Sequence, residues 1–354
     1  MERTTVLLLF GGESSEHNVS VSSARNVYAA IDDVKYNVLL GFIDRHGKWW
    51  LLDKFSTEID THGTPQFAPV LGTGSFVTFP GNKVIKPDVI LPILHGKNGE
   101  DGSVQGLAQL LHVPMVGCDM TASAICMDKV ATKEILMTQD VLVAPYEVHR
   151  RGTPLPDFSS LSGRLGSPMF VKPARAGSSV GVSKVRSEEE LTDALRLAHE
   201  HDDVVLIERG IVGRELEVSV LGNPPNHQVS GVGEVTPGDD FYSYDAKYAA
   251  NSTSQVVIPA AISEADSERL RTLAGKVYAA LGCRGLARVD FFLTEDGKAY
   301  VNELNTLPGF TNISMYPKLW RQQGISYSQL IERLIEAAFA ANRPQLTDSL
   351  LVTL

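Results

Sequence analysis

Val6-Leu7-Leu8-Leu9-Phe10 runs directly into Gly11-Gly12-Glu13-Ser14-Ser15-Glu16-His17. Five apolar residues without alternation describe a strand covered on both faces, as in a parallel sheet between helices. The glycines and serines end that strand. Beyond them Val21, Ala24, Tyr28 and Ile31 recur at helical spacing. Strand, loop and helix in this order predict an α/β unit, and Val38 to Ile43 and Val89 to Leu94 read as further strands of a doubly wound sheet. Sheets of this kind carry functional loops at the C-terminal ends of their strands. The loop His95-Gly96-Lys97-Asn98-Gly99-Glu100-Asp101-Gly102 therefore belongs beside the first one. His95 is a candidate binding side chain there, and Glu16 suits an ammonium group.

Outward from that unit the pattern changes. Ala122 to Thr138 reads as one helix, and Pro145 to Pro168 as a stretch that is partly loop. Met169-Phe170-Val171 is a strand entering Lys172-Pro173, Ser187 and Glu190 form a capping box, and Val204 to Glu208 is a strand. A third region begins near Gly213 or Arg214, with a helix opened by Ser263 and a final apolar stripe from Tyr327 to Phe339. The expected division is 1–120 for the α/β domain, 121–213 for a central α+β part and 214–354 for a second α+β part.

The chain has 354 residues, is 43% hydrophobic and carries a formal charge of −10. With no basic run, that balance argues against general nucleic-acid binding, whose affinity rests on phosphate attraction. The run Val6 to Phe10 is far short of the ~20 residues a membrane helix needs. Cys118, Cys126 and Cys283 form no Cys-x-x-Cys pair and read as core thiols, which fits a reducing cytoplasmic compartment.

Beside these two loops, two further clusters are candidates for the chemistry. Gly177-Ser178-Ser179-Val180-Gly181 follows Lys172 by five residues. Small residues let backbone amides approach an anion, and a strand lysine supplies charge for phosphate. The glycine spacing fits neither the Walker pattern nor the dinucleotide fingerprint. Arg288-Val289-Asp290 and Asn302-Glu303-Leu304-Asn305 flank a predicted β-hairpin turning at Asp296-Gly297. Glu303 and Asn305 share one strand face, and with Asp290 they offer the hard oxygen ligands that Mg²⁺ takes. Glu208 and Glu215 are candidate nucleoside anchors. The polar stretch Pro237 to Ser254, with Tyr242-Ser243-Tyr244-Asp245-Ala246-Lys247-Tyr248, reads as a lid.

Taken in order, these motifs resemble the D-alanine–D-alanine ligases of the ATP-grasp superfamily. The resemblance adds Met127-Asp128-Lys129 and Asn302-Glu303-Leu304-Asn305-Thr306-Leu307-Pro308-Gly309-Phe310-Thr311, and it spans Leu7 to about Leu334. It implies an ATP-grasp fold with ATP held between the second and third parts, and two D-alanine sites facing the first. By resemblance, Lys129, Lys172 and Ser179 bind phosphates, with Lys247 reaching the γ-phosphate. Glu208, Arg209, Ile211, Glu215 and Asn302 line the nucleotide site. Asp290, Glu303 and Asn305 hold two Mg²⁺, with Mn²⁺ as a substitute. Glu16 and His95 take the first D-alanine, and Ser314 the carboxylate of the second. Arg288 and the Gly309 amide stabilise the oxyanion, and Ser178 and Tyr248 close the lid. The resemblance also implies a homodimer, and no nucleic-acid or membrane partner. Arg209, where many relatives carry Lys, and Ala176, where some carry Glu, remove no needed group. A D-alanine–D-lactate or D-alanine–D-serine ligase is the nearest alternative, and Tyr248 favours the dipeptide former. Another ATP-grasp ligase and a non-catalytic nucleotide sensor are more distant ones.

Overall fold

The computed structural model describes residues 3–56, 58–236 and 255–342. Three sheets organise them. In the first, β1 (Thr4–Gly11) lies between β2 (Tyr36–Ile43) and β7 (Val89–Ile93), parallel to both. Val6 to Phe10 are almost fully buried, as an apolar run without alternation requires. The parallel part stops there. β3 (Trp49–Leu52), β4 (Gln66–Val70), β5 (Ser75–Phe79) and β6 (Val84–Ile85) continue the sheet as an antiparallel meander. The expected doubly wound unit therefore carries an antiparallel extension, joined by connections too short for parallel crossovers.

The second sheet has the order β10-β9-β11-β8, from β8 (Tyr146–Arg150), β9 (Met169–Pro173), β10 (Ser183–Val185) and β11 (Val204–Arg209). The third has the order β14-β13-β12-β15-β16, from β12 (Arg214–Leu221), β13 (Gln228–Thr236), β14 (Gln255–Val257), β15 (Leu286–Leu293) and β16 (Ala299–Asn305). Both are antiparallel throughout.

Two features position the site. The helix expected over Ala122 to Thr138 is two helices, Met120–Met127 and Lys129–Thr138. Asp128 breaks it with extended backbone and accepts from the amides of Val130 and Ala131, so Lys129 opens the second helix. The final helix Tyr327–Ala341 turns its stripe of Leu330, Ile331, Leu334, Ile335 and Ala338 into the core of the first sheet, not the third. The three cysteines are buried free thiols. No helix of the described residues is long and apolar enough to cross a membrane.

Candidate active site

The first loop and the His95 loop meet as their strand order demands. The Ser14 hydroxyl donates to the His95 carbonyl at 2.7 Å, and the Asn98 amide donates to Glu13 at 2.7 Å. Gly11 has φ +95°, and a Cβ there would fall 2.1 Å from the Ile43 carbonyl oxygen, so only glycine makes this exit from β1. Helix α1 (His17–Ala30) begins at Glu16, whose side chain makes no capping bond. Its carboxylate instead lies 3.3 Å from where a Cβ on Gly96 would sit and 4.0 Å from the same point on Gly177. Glu16 thus joins the first loop and the His95 loop to the loop at 177–181, and all three line one cavity of about 620 Å³.

His95 is buried, and its Nδ1 sits 3.0 Å from the Leu307 carbonyl oxygen. Nδ1–H is therefore the donor, and the acceptor Nε2 has no partner among the described residues. Burial lowers the His95 pKa, so the ring is neutral near pH 7. Glu100, absent from the expected set, accepts from the Gly96 amide at 2.7 Å. Burial first, and then the charge of Glu16, push its carboxyl up to about 8. A carboxyl raised in the folded state holds a proton that the unfolded chain has lost. Its cost is nil below pH 4.5 and grows as pH rises toward 8. Glu100→Gln keeps the oxygen for Gly96 but cannot ionise. Relative to the unsubstituted protein, its melting temperature should be unchanged at pH 4 and higher at pH 9; parallel melting curves across that range would disprove this.

A second cavity of about 310 Å³ lies between the second and third sheets. Lys129, Lys172, Ser178, Ser179, Glu208, Arg209, Ile211, Glu215, Asn302 and Glu303 all line it, so ten of the residues singled out in the sequence share one space. Ser178 and Ser179 take φ of 53° and 57°, a left-handed conformation that side chains rarely adopt. Glu208 is ion-paired through one oxygen to Lys172 at 2.6 Å and through the other to Lys133 at 2.9 Å. Burial raises its pKa, but the two ammonium groups outweigh burial and lower it.

Below this space the β15–β16 hairpin sets Asp290 opposite Glu303 and Arg288 opposite Asn305. The register slips after Asp290, leaving Asn302 unpaired between Val301 and Glu303. That bulge lets the neighbours Asn302 and Glu303 line the same cavity, which strict alternation forbids. Arg288 donates a fork to both Asp290 oxygens, at 2.7 and 2.6 Å, and lies 3.0 Å from Glu217. Burial opposes its charge, yet Asp290 and Glu217 hold its pKa well above the ordinary value. Among the described residues, no three His, Cys, Asp or Glu side chains surround a common point. Mg²⁺ does not need such a cage, because it keeps waters and phosphate oxygens and uses one or two carboxylates. Asp290, Glu303 and the Asn305 oxygen fit that demand.

Ser314 precedes the helix Met315–Gln322, and a Cβ on Gly309 would lie 3.0 Å from its hydroxyl. The lid stretch Pro237 to Ser254, with Lys247 and Tyr248, lies outside the described residues.

Family models for the N-terminus and the C-terminus of D-ala D-ala ligase match residues 5–118 and 135–336. The chain belongs to the D-alanine–D-alanine ligase family. This ligase chain is 45% identical over 351 residues to D-alanine–D-alanine ligase A of Escherichia coli, covering 96% of each. It is 43% identical over 356 residues to the Chromobacterium violaceum ligase A, covering 97% of each. The solved D-alanine-D-alanine ligase of Coxiella burnetii superposes with a TM-score of 0.87 at 32% identity, over 97% of this chain and 95% of that one. The VanG D-Ala:D-Ser ligase of Enterococcus faecalis superposes at 0.86 and 34%, over 95% and 100%. The ligase also has site residues that sequence reading missed: Lys133, Glu217 and Glu100. Lys133 lies one turn beyond Lys129, and Glu217 alternates with Glu215, so both left a periodic signal.

Proposed function

We propose that the protein joins two D-alanines into D-alanyl-D-alanine, consuming ATP and releasing ADP and phosphate. The observation that carries this is the nucleotide-sized cavity, with lysines and a phosphate loop on one wall and a carboxylate hairpin on the other, opening beside two Gly-rich loops joined through Glu16. A carboxylate is a poor electrophile. The carboxylate oxygen of the first D-alanine attacks the γ-phosphorus, ADP leaves, and an acyl phosphate remains. Lys129 and Lys172 offset charge on the phosphates, and positioning and neutralisation supply most of the acceleration. Mg²⁺, held by Asp290, Glu303 and Asn305, would supply further positive charge at the phosphates.

Glu16 takes the ammonium of the first D-alanine, and neutral His95 presents Nε2 beside it. Ser314, at a helix N-terminus, takes the carboxylate of the second D-alanine. Its free amine attacks the acyl carbon, Arg288 and the Gly309 amide receive the oxyanion, and phosphate leaves carrying off the proton that the nitrogen gives up. Water is excluded to protect the acyl phosphate from hydrolysis.

A second reading, D-serine as the second substrate, is favoured by the superposition on a D-Ala:D-Ser ligase. Phosphate release from ATP, measured with D-alanine alone and with D-alanine mixed with D-serine, D-lactate or L-alanine, separates the two. D-alanine alone should drive turnover, with D-alanyl-D-alanine as the main product of every mixture. Release that needs D-serine would replace the first reading with the second.

A further inference from the structure

Lys133 is 2% exposed and does not line the nucleotide cavity, yet it contacts the carboxylate that does. Its ammonium has three partners: Glu208 at 2.9 Å, the Ala144 carbonyl oxygen at 3.3 Å, and the Tyr146 ring, whose centroid is 5.4 Å away. It is enclosed by these partners and stays out of the cavity where a phosphate would lie. Lys172, by contrast, pairs with the other Glu208 oxygen and faces the cavity. One carboxylate therefore stands between a fixed structural lysine and a lysine available to the nucleotide. The cavity wall around Glu208 includes Ala144, Pro168, Phe170, Ile211, Val212 and Phe292, an apolar slot of the kind a planar base fills.

We propose that Lys133 is a positioning residue that holds the Glu208 carboxylate toward the base edge and so selects 6-aminopurine over 6-oxopurine nucleotides. The inference rests on the reading of this cavity as the ATP site. An ionised carboxylate only accepts hydrogen bonds. It pairs with an exocyclic amino group and repels a 6-oxo oxygen. Burial works against that ionised state, and the Lys133 and Lys172 charges maintain it. Without Lys133, the carboxylate turns fully to Lys172. The base edge then loses its acceptor, and the phosphates lose part of their lysine.

The test compares KM and kcat for ATP and ITP in the unsubstituted enzyme, in Lys133→Met and in Lys133→Arg, at saturating D-alanine. Losing the buried Lys133–Glu208 ion pair, which strands the carboxylate oxygen, should cut the ATP preference in kcat/KM by about 10-fold or more. The loss should fall mainly in KM, and Lys133→Arg, which keeps the charge, should recover most of it. An ATP-to-ITP ratio within twofold of the unsubstituted enzyme in Lys133→Met would overturn the proposal. A merely structural lysine would weaken both nucleotides equally and leave that ratio unmoved. If Lys133→Met does not fold, Lys133→Gln, which stays polar but carries no charge, decides on the same ratio. An unsubstituted enzyme that does not use ATP would refute the functional reading itself.

Discussion

Replacing Arg288 with methionine is expected to lower turnover by about 100-fold or more while ATP still binds, an effect comparable to removing an oxyanion donor elsewhere. The geometry adds a second consequence. Arg288 is the cation between Asp290, which it grips with both arms of its guanidinium, and Glu217 at 3.0 Å. Asp290 in turn stands opposite Glu303. Like charges directly opposite on paired strands repel. Removing one partner from a buried ion pair costs roughly 3–5 kcal/mol, because the remaining charge is stranded. Arg288→Met should therefore melt well below the unsubstituted protein in the presence of a chelator. A divalent cation replaces the missing charge, so added Mg²⁺ should recover more melting temperature in the variant than in the parent. Unchanged turnover would remove Arg288 from the oxyanion site. Equal Mg²⁺ responses would mean that Arg288 does not balance the charge of the Asp290 and Glu303 carboxylates.

Much of this site is visible in the sequence because it sits on strands, where side chains alternate. The hairpin from Leu286 to Asn305 has a period of two, and Asp296-Gly297 turns it, with Gly297 at φ +78°. That spacing is enough to set Glu303 and Asn305 on one face opposite Asp290 and Arg288. The same rule fails at Asn302. Alternation sends it to the far face, and only the bulge brings it to the cavity; nothing in the local residue types marks a bulge. Asp128 shows a different limit. Two helices that share an apolar stripe read as one until the capping carboxylate is seen to break the backbone. The roles of Lys133 and Glu100 are hidden for a third reason, although the helical spacing of Lys133 from Lys129 is visible. A charged residue, whether in a helix like Lys133 or a polar loop like Glu100, reads as solvent-facing until its partner is known, and the partners come from distant segments: Glu208 for Lys133, and the Glu16 charge for Glu100. The antiparallel extension β3–β6 lies in short strands between turns, where apolar runs are too brief to give a direction. The stripe of the final helix was plain, but a stripe states only that a helix is covered, not that the cover is the first sheet.

Glu303→Gln should separate metal binding from nucleotide binding. Glu303 lines the nucleotide cavity, faces Asp290 across the hairpin, and acts electrostatically on Lys129. Burial lowers the Lys129 pKa, and Glu303 is the leading charge that raises it again. Glutamine preserves the shape and one oxygen while removing the charge. A metal ion between this side chain and the phosphates would then lose one of its two carboxylates, and turnover should fall by at least about 100-fold, equivalent to roughly 3 kcal/mol. The Mg²⁺ concentration for half-maximal activity should rise in the same variant. Metal-free nucleotide binding should move the other way. The phosphates would no longer approach a carboxylate on that wall, so ATP in chelator should bind as tightly as before or more tightly. A variant hurt only through folding would lose both metal-free binding and turnover. Superimposable Mg²⁺ activation curves for the two proteins would place the metal away from Glu303, and with it away from the Asp290 hairpin.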